Sequence, residues 1–193
     1  MISLSAQNSL ETIFLRAART TLPLHADDAI SIMPLVASKA IDFPERQVLL
    51  LTISSFTFRF LLIFHIDDDA PTRNYFQQDR ADRSFVDAFA ETANLFCGAM
   101  NRELLKTFLH LGMSTPYVLG RASMGFIDAL KPGFLASYRI DIRDDVHLHA
   151  TLCLCENENI ETIHVDTDAS IKASRLSASR RRIRGFIPSI RSS

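Results

Sequence analysis

Ser84-Phe85-Val86-Asp87-Ala88-Phe89-Ala90-Glu91-Thr92-Ala93-Asn94-Leu95-Phe96-Cys97-Gly98-Ala99-Met100 reads as one amphipathic helix, and the rest of the chain is read outward from it. Phe85, Phe89, Ala93, Phe96, Met100, Leu104 and Phe108 recur every three or four residues, the spacing of a core-facing helical stripe. The pattern predicts a helix over 84–111, with Asp82 or Ser84 as its N-cap and Gly112 at its C-terminal stop. Opposite the apolar stripe lie Asp87, Glu91, Asn94 and Gly98. At about 100° per residue these four share roughly a 60° sector. A carboxylate and a carboxamide one turn apart thus face solvent together, beside a small residue that lets another backbone come close.

Outward from the helix, Gln47 to Ile66 is long and apolar enough to need testing as a membrane span. Arg59, Ser54 and Ser55 interrupt it, and Phe56, Phe58, Phe60, Leu62, Phe64 and Ile66 alternate strictly. Alternation is the period of a strand, so two strands, at about 47–54 and 56–66, are expected and no membrane span. Residues 8–21 read as a first helix buried through Leu10, Ile13, Phe14, Ala17 and Ala18, and a short strand is expected near 29–36. Asp67-Asp68-Asp69-Ala70-Pro71 ends the second apolar strand, and the segment from there to Arg83 is short and charged. Further strands are expected from Tyr117, over Phe134–Ile142 and Val146–Cys155 with an Arg143-Asp144-Asp145 turn between, and over Thr162–Val165. The count is two or three helices and five or six strands, largely in hairpins. This is an α+β fold with a mostly antiparallel sheet and helices packed on one side.

One domain over 1–167, followed by a basic Ser/Arg-rich tail over 168–193, accommodates this pattern. The whole chain of 193 residues carries a net charge of −1, yet 168–193 holds seven Lys/Arg against one acid, leaving the body acidic. The tail has a single aromatic, Phe186, so it lacks the stacking residues of a nucleic-acid platform, and no nucleic acid is expected as a partner. Cys97, Cys153 and Cys155 form neither a disulfide framework nor a Cys-x-x-Cys, which fits a reducing cytoplasm. His147, His149, Cys153 and Cys155 share one strand face, a ligand chemistry suited to zinc. They extend over about 27 Å at ~3.4 Å per residue, too far for one tetrahedral site. A semi-polar sheet face is therefore the reading preferred over a half-site shared across a dimer.

Asp87, Glu91, Asn94 and Gly98, with Pro116 some 22 residues beyond the Asn, together resemble the CheC/CheX/FliY family of chemotaxis response-regulator phosphatases. One copy of the motif looks more like CheX than CheC, which carries two. The resemblance implies a phosphatase acting on the phosphoaspartate of a CheY-type response regulator. In it Asn94 orients the attacking water and Glu91 anchors the regulator by pairing with its lysine. On the same face Asp87 supports the surroundings of Glu91 or caps the helix start, and it is counted with Leu95, Gly98 and Arg102 among the residues expected to meet the partner, while Pro116 fixes the turn that follows. It implies no cofactor of the chain's own, the Mg²⁺ belonging to the phosphorylated regulator, and it implies a homodimer. The chain has Ala99 where the family usually has Asn after the Gly, and Gly120 stands four rather than five residues after Pro116. A non-catalytic adaptor of the same fold is accordingly the second reading, and a dimeric scaffold the third.

Overall fold

The computed structural model describes residues 1–35, 43–78 and 82–165. In chain order the elements are α1 (Leu4–Thr21), β1 (Ile30–Leu35), β2 (Gln47–Ser54), β3 (Phe58–Ile66), α2 (Ala70–Gln77), α3 (Phe85–Leu104), β4 (Gly112–Met113), β5 (Tyr117–Gly120), a 3₁₀ segment (Arg121–Leu130), β6 (Phe134–Ile142) and β7 (Val146–Glu156). The fold is α+β, as the hydrophobic periods require. Seven strands form one antiparallel sheet in the order β1-β6-β7-β3-β2, with β4 and then β5 sharing the outer edge of β2. β3 lies between β7 and β2, where both faces are covered, and every residue of it except Arg59 is buried. This explains why its sequence is nearly continuous in apolar residues. The basic tail over 168–193 lies outside the described residues.

The helical layer packs on one sheet face through aromatic side chains. Phe96 of α3 sits edge-on to Phe14 of α1 and to Phe64 of β3, with ring centroids 5.5 and 5.3 Å apart. Phe89, about two turns earlier on the same face, meets Phe64 at 5.4 Å and Phe76 of α2 at 4.8 Å. Edge-to-face geometry of this kind adds to the burial of large apolar area. The five residues expected to anchor the first helix, Leu10, Ile13, Phe14, Ala17 and Ala18, are all buried. That helix starts earlier than its hydrophobic period shows, because Ser3 caps it by accepting from the Ala6 N–H at 3.1 Å.

Four local expectations are corrected. The motif helix ends at Leu104 rather than 111, because Lys106, Thr107 and Phe108 close a tight turn onto the carbonyls of Glu103 and Leu104. Phe108 still reaches the core, 4.8 Å from the Phe58 ring, so the apolar period outlasts the helix that began it. The charged segment after β3 contains a helix, α2. Asp69 is its N-cap, accepting from the Thr72 N–H at 3.0 Å, with Pro71 in its first turn. The second apolar strand begins at Phe58, because Ser55 folds the hairpin by accepting from the Thr57 and Phe58 N–H groups. No strand forms over Thr162–Val165. Ile160 makes a single parallel bridge with Ile2 instead, fastening the N-terminus to the segment after β7.

The other sheet face is partly covered by the 3₁₀ segment, whose Ile127 and Met124 pack over Val48, Leu61, Ile63 and Cys153. Beside this cluster runs a polar chain. His65 of β3 shares a 2.9 Å hydrogen bond with Thr151, which is 3.0 Å from Ser137. Phe43 places its ring 4.3 Å from both the His65 and His149 rings. His149 Nδ1 donates to the Glu45 carboxylate at 2.6 Å. Burial pushes His65 down to about 4, against a milder upward pull from Glu45.

Two predictions follow from these contacts. Phe96→Ala removes a fully buried ring that touches two others, and should cost about 3–5 kcal/mol in chemical denaturation. A loss below about 1 kcal/mol would mean that α3 is not held by this packing. The second prediction concerns pH. An unfolded histidine takes up a proton near pH ~6.5, whereas folded His65 resists protonation until about 4. Stability should therefore fall as pH drops through that window, by roughly 3 kcal/mol from this residue. Denaturation midpoints measured at intervals of pH should show the slope, and His65→Gln should flatten it.

Candidate functional site

The site is the outer face of α3. Its start is fixed by Ser84, whose hydroxyl accepts from the Asp87 N–H at 3.1 Å and donates to the Asp87 carboxylate at 2.7 Å. Asp87 is therefore part of the helix cap, where its charge also complements the positive end of the helix dipole. The inner residues Phe85, Phe89, Ala93, Phe96, Cys97 and Met100 are buried and set the rotation of the helix. With that rotation fixed, Asp87, Glu91, Asn94 and Arg102 are exposed, and Gly98 is half-buried among them. The structure thus brings together on one helix face all the α3 residues singled out from sequence.

Glu91 is engaged within the chain: its carboxylate forms an ion pair with the Arg83 guanidinium. Arg83 was not among the candidates from sequence. Its separation of eight residues from Glu91 is about two helical turns, but Arg83 precedes the helix, so spacing alone gave no pairing signal. Leu95 stands beside Asn94 and is 66% accessible, a large apolar group on an otherwise polar face. A Cβ built on Gly98 would meet nothing nearer than the Arg102 guanidinium at 3.7 Å, an ordinary contact. The chain's own packing does not require a glycine there, so its smallness is available to whatever approaches from outside.

Pro116 lies between β4 and β5. Ile53 pairs with Met113 and Leu50 with Tyr117, so Thr115 and Pro116 together face the one residue Leu51. This is a β-bulge. Ser114 secures it, donating its N–H to the Thr52 carbonyl and accepting the Thr52 N–H on its hydroxyl, both at 3.0 Å. A bulge tolerates a residue with no N–H to give, which is the physical reason a proline fits at this point.

The histidine and cysteine strand separates into different surroundings. His147 Nδ1 is 2.6 Å from the Asp141 carboxylate, and His149 is taken by Glu45. Cys153 and Cys155 lie at the apolar end with their sulfurs 3.9 Å apart. Burial first, and Cys155 second, pushes the Cys153 thiol up to about 12. Among the described residues no three His, Cys, Asp or Glu side chains are arranged to hold a metal ion. Burial likewise pushes the Cys97 thiol up to about 12, which leaves it unsuited to nucleophilic work. No helix among the described residues is long and apolar enough to cross a membrane.

No protein-family model matches the sequence, and no curated protein is similar to it in sequence. Solved structures do resemble the fold. A CheX from Borrelia burgdorferi, determined in a complex with CheY, BeF₃ and Mg²⁺, superposes with a TM-score of 0.55 at 12% identity, covering 80% of this chain and 100% of that one. A chemotaxis protein of Desulfovibrio vulgaris Hildenborough, described as putative, gives 0.55 at 14% identity, over 75% and 96% of the two chains. CheX from Vibrio vulnificus gives 0.51 at 13% identity, over 76% and 97%. In its architecture the chain has the fold of the CheX and CheC-like chemotaxis proteins.

Proposed function

We propose that this chain is a CheX-like phosphatase that removes phosphate from the phosphoaspartate of a CheY-type response regulator. The observation that carries the reading is the exposure of Glu91 and Asn94 side by side on α3, within a fold shared with CheX. A carboxamide both accepts and donates hydrogen bonds, so Asn94 can hold a water in line with the phosphorus without taking up its charge. Glu91 supplies a carboxylate for an ammonium on the regulator, and the charge-assisted contact fixes the register of docking. Leu95 adds apolar area beside the pair, Gly98 permits close approach, and Arg102 offers a cation to the partner's acidic surface. Mg²⁺ enters with the regulator, which acts in the cytoplasm, and this chain is placed there with it.

The test is phosphate loss from phosphorylated CheY-type regulators in Mg²⁺, with and without this protein. Asn94→Ala should slow the accelerated decay by roughly 100-fold while leaving binding intact. Glu91→Ala should raise KM by about 10-fold. An unchanged rate in the Asn94 variant contradicts the mechanism. Regulator binding without any acceleration selects the second reading, an adaptor, which Ala99 after Gly98 favours.

The proposed assembly is a homodimer. β5 is an edge strand whose four residues are all exposed, among them Tyr117, Val118 and Leu119. An uncovered apolar edge is a template for pairing. Solution mass at micromolar concentration should correspond to two chains, and Val118→Lys should shift it to one. A monomer mass for the unaltered protein contradicts the dimer.

A further inference from the structure

Arg83 stands immediately before the Ser84 cap, and its guanidinium reaches back along the outer face of α3 to the Glu91 carboxylate. Asp87 lies between them in sequence, but its own carboxylate is taken by the Ser84 hydroxyl. The side chains of Arg83 and Glu91 are 42% and 56% accessible, so the pair forms in the open, on the surface proposed to dock. We propose that Arg83 is an internal competitor for the anchor: it occupies Glu91 in the free protein and must be displaced when a regulator's ammonium arrives. This rests on the reading of Glu91 as the docking carboxylate.

Two effects act in the same direction. A tethered guanidinium is present at high effective concentration, whereas the partner's ammonium is in dilute solution. Its positive charge also repels that ammonium at short range. Exposed ion pairs are weak, so the expected handicap is small, about 2–5-fold in affinity. A small handicap still has a consequence for selectivity. A cation that meets Glu91 alone competes poorly. One carried on a protein that also covers Leu95 and enters over Gly98 has further contacts with which to displace Arg83. The face therefore favours a partner that presents its ammonium within a shaped, partly apolar surface.

The test uses the full chain and a CheY-type regulator phosphorylated with acetyl phosphate. Arg83→Gln should bind the regulator about 2–5-fold more tightly and lower KM by the same factor, with kcat unchanged. Arg83→Lys should behave as the parent chain. In a Glu91→Gln background, Arg83→Gln should bring little or no gain, since the contact it relieves is already absent. Equal or weaker binding by Arg83→Gln overturns the proposal, as does a gain that persists in full beside Glu91→Gln. If Glu91→Gln alone binds as tightly as the parent, the anchor reading fails and the competitor role fails with it. If Glu91→Gln weakens binding while Arg83→Gln changes nothing, the anchor stands and only the competitor role is lost. Matching thermal unfolding curves for the variants exclude a folding defect as the cause.

Discussion

The packing of α3 against the sheet determines everything on its outer face. Phe89 and Phe96 lock into Phe14, Phe64 and Phe76, and a helix held on one face at two points about two turns apart cannot roll. Rolling by one residue position, about 100°, would turn Glu91 and Asn94 away from their shared sector. Close-packed protein interiors resist such shifts, since rings forced off their positions lose both contacts and rotamer minima. The orientation of two polar side chains is thus a consequence of apolar residues on the far side of the same helix. Ser84 contributes the remaining constraint by fixing where the helix begins.

The two faces of the sheet have different characters. The helical face is closed by aromatic and aliphatic side chains drawn from α1, α2 and α3. The opposite face combines a small apolar cluster under the 3₁₀ segment with hydrogen-bonded His65, Thr151 and Ser137 and the Glu45–His149 pair. The named contacts offset part of the cost of burying these groups, while His65 Nδ1 and one Glu45 carboxylate oxygen are buried without a hydrogen-bond partner. The residues that looked like metal ligands in the sequence are accounted for by this arrangement: the histidines pair with carboxylates and the cysteines pack in or beside the apolar cluster.

The long periodic elements were legible in the sequence because burial imposes a period. The β6–β7 hairpin is found within one residue of its expected limits, and β1, β2 and the anchor face of α1 follow their hydrophobic patterns. The misreadings have physical causes. In sequence Asp69 and Pro71 read as breakers of a strand, but an N-cap and a first-turn proline also begin a helix. Phe108 kept the helical period after the backbone had already turned, because a side chain can reach the core from a turn as well as from a helix. The 3₁₀ segment buries Ile127 alone, too little to leave a periodic signal. At the site, the shared face of Glu91 and Asn94 was readable from spacing. The Arg83 contact was not, since it depends on a side chain folding back from outside the helix.

The central claim is that the outer face of α3 enters a regulator's phosphorylation site. The most direct measurement follows the amide signals of the ¹⁵N-labelled protein, including the Asn94 side-chain NH₂ pair, as a beryllofluoride-activated CheY-type regulator is added. The account predicts that the largest shifts fall on the Asn94 side chain and on α3 residues from Glu91 to Arg102, with the His147–Cys155 face little changed. Shifts confined to that opposite face, with the Asn94 side chain unmoved at saturation, would contradict it.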